Sequence, residues 1–176
     1  TNPPAEVQYL LSHSESKILF AEDQEQVDKA LEVIQDVPNL SKIIYFEEQG
    51  LFRYESDKLM RWDEFLKIGK EEFEKNKDFP NFCIDEIKSD DVALMIYTSG
   101  TTGPPKASML SHGNMEWTAS IIPDLSFTPN ISNPEYLSYL PLCHVFGRLV
   151  DEIIAINSIG TINFAESIDT VQRDLA

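Results

Sequence analysis

The chain has 176 residues, 42% of them apolar and 25% charged, which is the composition of a globular domain of ordinary size and excludes a disordered or collagen-like chain. Its 30 acidic residues against 14 basic ones give a net charge of -16, a field that repels phosphate backbones and argues against nucleic acid as a partner. Cys83 and Cys143 have no second Cys or His at metal spacing and read as reduced thiols. Reduced thiols suit a cytoplasmic protein, with peripheral membrane contact left open; no apolar run reaches the ~20 residues of a membrane helix and no basic leader precedes an apolar stretch, so no membrane span is expected.

In chain order, Val7, Leu10 and Leu11 recur at helical spacing after Pro3-Pro4, and Lys17 to Ala21 is a short apolar run with strand character. Asp23 precedes Val27, Ala30, Leu31 and Ile34, a second amphipathic helix that stops before Pro38. Ser41 to Phe46 reads as the next strand, and Glu47 to Leu59 carries no clear period. Trp62, Phe65, Leu66, Ile68 and Phe73 predict a third helix, ending in a charged stretch from Glu71 to Asp78 that is most simply a solvated helix face.

Val92 to Tyr97 is a continuous apolar run and predicts a fully buried strand. Met109-Leu110 suits a short strand, and Ser111 suits the cap of a helix from Gly113 to Ile122 that Pro123 stops. Asp124 to Pro134 reads as a loop, Tyr136 to Leu140 as a strand, Val145 to Ile156 as an apolar helix and Gly160 to Phe164 as a final strand. Strands alternating with helices predict an α/β fold, three layers with a mostly parallel sheet between helices.

The segment from Tyr97 to Lys106, Tyr-Thr-Ser-Gly-Thr-Thr-Gly-Pro-Pro-Lys, packs four hydroxyls and two glycines between an apolar strand and a lysine. Gly100 and Gly103 let backbone amides face an oxygen-rich ligand, the hydroxyls of Thr98, Ser99, Thr101 and Thr102 add donors, and Lys106 adds a point charge. In so acidic a chain a phosphate site must make its own positive potential, and these are the parts for it. A Walker A loop is excluded, because Pro105 stands at the second-glycine position and Ala107 follows the lysine. Composition alone leaves two readings open, a phosphate cradle and a polar surface turn.

That string, followed by Met109-Leu-Ser-His112, resembles the phosphate loop of the adenylate-forming enzymes, the superfamily of acyl-CoA synthetases, firefly luciferase and peptide-synthetase adenylation domains. Tyr139-Leu-Pro-Leu-Cys-His-Val-Phe-Gly-Arg148 is similar to the next motif in its long-chain fatty acyl-CoA synthetase form, Leu-Pro-Leu-x-His-x-x-Glu-Arg. Phe164-Ala-Glu-Ser-Ile-Asp169 resembles a strand-to-helix stretch of the same branch. Two positions depart from the pattern. Ala107 replaces a glycine, which would strain the backbone wherever that site needs positive φ, and Gly147 replaces the glutamate.

The resemblance implies an ATP-dependent acid-thiol ligase that joins a fatty acid to ATP with Mg2+, releases pyrophosphate, and passes the acyl group to coenzyme A. It implies that Thr98, Ser99, Gly100, Thr101, Thr102, Gly103 and Lys106 grip the β- and γ-phosphates, with Lys106 also serving the adenylation step. His144 either shapes the carboxylate end of the acyl site or is a histidine satisfied at a strand end. Arg148 and His112 read more simply as local structural residues. Both chain ends look like cuts, so residues 1–176 are expected to form a single truncated subdomain of the AMP-binding domain, without the mobile C-terminal domain and without ligase activity of its own. Two other readings stand beside this one: a noncatalytic nucleotide-binding or interaction module, and an adenylate-forming enzyme for a different carboxylate.

Overall fold

The computed structural model describes residues 2–98, 103–121 and 133–174, in two compact units, Thr1–Asp85 and Glu86–Ala176. In the first unit Pro4 pre-sets the first turn of helix α1 (Pro4–His13), with Glu6 near its positive end and His13 near its negative end. Strand β1 (Ile18–Ala21) follows. The Asp23 side chain then accepts from the Gln26 N–H at 3.0 Å and starts α2 (Gln24–Glu32), as a capping aspartate should. A short 3-10 turn, Ile34–Asp36, closes that segment ahead of β2 (Lys42–Tyr45).

The three strands of this unit are parallel in the order β1-β2-β3, with Ile18 opposite Lys42 and Ile43 opposite Leu59. Strand β3 (Leu59–Arg61) escapes the sequence because three residues carry no period; only pairing with β2 makes them a strand. One face of the sheet packs Ala21 and Ile43 against Leu11 of α1 and Val27 and Ala30 of α2, with Val37, Leu40 and Leu51 sealing the edges. On the other face, α3 (Trp62–Lys75) lays Trp62 and Phe65 edge-on against Phe20, at ring centroid separations of 6.1 and 5.7 Å. Alternation along β1 sends Ala21 one way and Phe20 the other, so helices cover both faces of this sheet. Burial of each large aliphatic side chain here stabilises by about 1.5–3 kcal/mol.

Past Trp62 the charged run behaves as a solvated face: Lys75 pairs with Glu72, and Lys77 with Glu74, at exposed positions. Such pairs stabilise little. Helix α4 (Phe79–Glu86) was not foreseen, although Pro80 in its first turn is compatible with it.

The second unit begins with an antiparallel hairpin of β4 (Val92–Thr98) and β5 (Lys106–Ser111). Strand β4 is where expected but is not fully buried: only Ile96 is enclosed and Val92 is 52% exposed, because among the described residues the strand pairs with β5 alone. Helix α5 (His112–Ile121) follows directly. The predicted stop at Pro123 and the loop from Asp124 fall almost wholly outside the described residues.

Strand β6 (Glu135–Ser138) pairs in parallel with β7 (Thr161–Phe164), Tyr136 opposite Ile162. A helical crossover joins them, as parallel strands require. It opens as a π-helical segment, Gly147–Ile153, and tightens into α6 (Ile154–Asn157), where a plain apolar helix was expected. The Asn157 side chain donates to the Ala119 carbonyl at 3.1 Å and ties α6 to α5. A capping box between Ser167 and Thr170 closes the 3-10 turn before α7 (Val171–Asp174).

Candidate functional site

The predicted phosphate loop is the connection of the hairpin, from 99 to 105. Thr98 and Lys106 form its last strand pair, directly opposite one another. Paired residues of an antiparallel ladder project to the same face with Cβ atoms about 4.5–5.5 Å apart, so a hydroxyl and an ammonium stand together at the loop's mouth. Both residues are exposed, and among the described residues no carboxylate pairs with Lys106. Gly103 has φ +88, a left-handed conformation that favours glycine, and among the described residues a Cβ added there would meet nothing within 4 Å. Ser99, Gly100, Thr101 and Thr102 lie outside the described residues.

Among the described residues, space at Gly103 and a lysine without a carboxylate partner beside a threonine hydroxyl are compatible with the phosphates of a nucleotide. Ala107 raises no difficulty: it lies in β5 opposite Tyr97, and it is not among the residues with positive φ. The strain expected from replacing glycine does not arise, because a paired strand needs only extended backbone. Among the described residues no three His, Cys, Asp or Glu side chains gather to hold a metal ion.

His144 lies ahead of the π-helical segment Gly147–Ile153. Its backbone N–H donates to the Pro141 carbonyl at 2.8 Å, and its Nδ1 accepts from the Phe146 N–H at 3.2 Å. That contact makes the neutral ring an Nε2–H tautomer and gives the side chain a capping role, while the ring itself is exposed.

Arg148 donates through Nη1 to Glu152 Oε2 at 2.6 Å, and its Nε is buried without a hydrogen-bond partner among the described residues. Glu152 also lines a shallow open cleft of about 60 Å³ with Ser138, Leu142, Ile162 and Phe164. The sequence did not single out Glu152; its spacing of four from Arg148 was the available signal. Gly147 is packed tightly: a Cβ there would lie 3.1 Å from both Leu140 Cβ and the Pro141 carbonyl oxygen.

Sequence reasoning also missed the residues that close the far end of the hairpin, Ser89, Asp91, Gly113 and Asn114. Asn114 Oδ1 accepts from the Ser111 N–H at 3.1 Å, and Ser111 Oγ accepts from the Asn114 N–H at 3.2 Å, a reciprocal cap of α5. The foreseen Ser111 cap is one half of it.

The family model described as AMP-binding enzyme matches residues 1–175. The chain is 31% identical to the long-chain-fatty-acid–CoA ligase ACSBG2 of Xenopus laevis, over 100% of its own length and 23% of that protein's. It is 30% identical to the Homo sapiens protein of the same name, over 99% of this chain and 25% of that one. The chain therefore spans about a quarter of the length of these relatives. Among solved structures, ATP-bound MatB from Rhodopseudomonas palustris superposes with a TM-score of 0.65 at 21% identity, covering 99% of this chain and 31% of that one; the likeness shows a shared α/β fold. With a match that runs over almost its whole length, this chain belongs to the AMP-binding enzyme family.

Proposed function

We propose that residues 1–176 are part of the AMP-binding domain of an ATP-dependent long-chain fatty acid–CoA ligase and carry its phosphate-binding loop. The observation that carries this reading is the Thr98–Lys106 pair: in a chain of net charge -16, a lysine without a carboxylate partner among the described residues faces a hydroxyl at the mouth of a glycine-containing loop. Lys106, Thr98 and Gly103, with Ser99, Gly100, Thr101 and Thr102, hold the β- and γ-phosphates of ATP. The names of the relatives, long-chain-fatty-acid–CoA ligases, support a fatty acid as the carboxylate and coenzyme A as the acceptor.

The chemistry to be served is attack of a carboxylate on the α-phosphate, with pyrophosphate leaving. An anion approaches an anion while more charge gathers on the departing oxygens, so donors fixed in advance contribute most. The chain's own part is to hold and orient the triphosphate: the Lys106 ammonium neutralises, the threonine hydroxyl and loop amides donate, and none acts as a nucleophile. Mg2+ would arrive on the nucleotide's own phosphates, in keeping with its preference for phosphate oxygens and retained waters. His144 borders the carboxylate end of the acyl site in this reading.

The test uses the intact protein and ATP–pyrophosphate exchange driven by a long-chain fatty acid. Lys106→Ala should lower exchange by about 10²–10³-fold. Thermal stability should hardly move, because the side chain is exposed. Undiminished exchange in the variant, or exchange driven by amino acids and not by fatty acids, would overturn the proposal.

A further inference from the structure

The hairpin that presents the loop has an unusual need. A two-residue turn fixes the register of its strands by its own geometry, whereas a long connection fixes it weakly. Here the connection runs from 99 to 105 and is composed for binding. Register nevertheless decides the site. If β5 slipped by one residue, Thr98 would face Ala107 or Pro105, and Lys106 would turn to the opposite face of the ladder.

At the other end of the hairpin the backbone is clasped. The Lys88 N–H donates to Asp91 Oδ2 at 2.8 Å and the Asp91 N–H to the Lys88 carbonyl at 3.0 Å, closing a turn just before β4. That turn accepts the first two amides of α5: the His112 N–H reaches the Asp91 carbonyl at 3.0 Å and the Gly113 N–H the Ser89 carbonyl at 2.8 Å. Gly113 lies so close that a Cβ would overlap Ser89 Oγ and stand 3.1 Å from the Ser89 carbonyl oxygen. The Ser111–Asn114 cap holds the end of β5 in the same place. Between this clasp and the loop lies a bulge, where the register shifts between Val92 and Leu94. The bulge sets one extra β4 residue against β5, so the alignment of the strands above it follows from the offset held at the clasp plus that one residue.

We infer that the clasp of Ser89, Asp91, Gly113 and Asn114 is a positioning device that sets the β4–β5 register and so places Lys106 opposite Thr98 for the nucleotide. The inference rests on the phosphate-loop reading above and assigns these residues no contact with the ligand. Gly113 is required because the amide at that position must reach the Ser89 carbonyl with no side chain between them. Asn114 is required because it holds the last residue of β5 to the first turn of α5.

The experiment measures ATP and fatty acid kinetics in the intact protein. Gly113→Ala should lower kcat/KM for ATP by about ten- to a hundredfold, the scale of a small misplacement, and leave the KM for the fatty acid unchanged. Ser89→Gly added to the same chain removes the hydroxyl and Cβ that the alanine strikes and should restore most of the loss. A folded Gly113→Ala protein with unaltered ATP kinetics, or a loss that Ser89→Gly does not relieve, would overturn the inference. Should Gly113→Ala fail to fold, Asn114→Ala deletes one capping side chain and carries the same expectation; unchanged ATP kinetics there would equally overturn it. Lys106→Ala run alongside separates the two readings. An inert Lys106 substitution sinks the phosphate loop itself, whereas a dead Lys106→Ala beside a fully active Gly113→Ala sinks only the clasp.

Discussion

The two units are built on opposite economies of side chain. Residues 1–85 enclose Val27, Ala30, Leu40, Ile43 and Ile44 at 0–1% exposure between helices and a three-stranded sheet. Among the described residues, residues 86–176 enclose the smaller set Ile96, Ala119, Ser138 and Ala155, while both units expose large apolar side chains, Phe52 and Ile84 in the first and Trp117 and Phe164 in the second. Every candidate binding residue belongs to the second unit. The difference teaches where order comes from along one chain: enclosed apolar volume fixes the first unit, while hydrogen bonds, caps and close glycine approaches fix the segments of the second that carry the proposed site.

The comparison breaks if the units respond alike to loss of side-chain volume. Leu40→Ala, at a fully enclosed position, should destabilise by about 2–5 kcal/mol in denaturant unfolding. Trp117→Ala, though a larger truncation at a 65% exposed position, should change stability by no more than about 0.5 kcal/mol. Equal losses would mean that the second unit has a core of the same kind.

A second substitution sharpens the contrast from the other side. Gly147→Glu supplies the residue that the resemblance places at this position, but its Cβ would meet Leu140 and Pro141 at 3.1 Å. Overpacking of that order should cost about 1–3 kcal/mol, read as a lowered denaturation midpoint. A neutral or stabilising result would show that the Leu140–Pro141 segment yields easily. The local fit to glycine would then be incidental.

The smallest effect concerns charge in the first unit. The side-chain hydrogen bond from Arg61 holds the Asp63 carboxyl below its ordinary 3.8. The folded value is the lower one, so this stabilisation is present above the unfolded value and is lost as pH falls through the folded one. At an exposed pair the contribution is slight. Carboxyl titration by NMR should place the Asp63 midpoint below 3.8, and Arg61→Ala should move it upward; an unmoved midpoint would remove electrostatics from the account of this unit.

Much of the first unit could be read directly from its residues. Asp23 before an amphipathic run, apolar strands at Ile18 and Lys42, and helical spacing from Trp62 to Phe73 all became elements close to where they were expected. The proposed phosphate loop rests on its residues first, because glycines, hydroxyls and a lysine in that order are a chemical statement before they are a structural one. The charge on Glu152 near Arg148, and the glycine following Ser111-His112, carried signals that spacing alone did not make compelling.

What the sequence determined by itself was whatever depends on neighbours along the chain: capped helices, apolar strands and the glycine- and hydroxyl-rich composition of residues 98–106. Tertiary structure decided the rest. Strand β3 exists because β2 offers it partners, β4 is half exposed because β5 is its one described neighbour, and Ala107 is unstrained because it is paired. The juxtaposition of Thr98 with Lys106, and of Gly113 with Ser89, likewise comes from pairing between separate segments of the chain. Cross-strand hydrogen bonds are specified by register, and register is a property of two segments together, which no pattern within one of them contains.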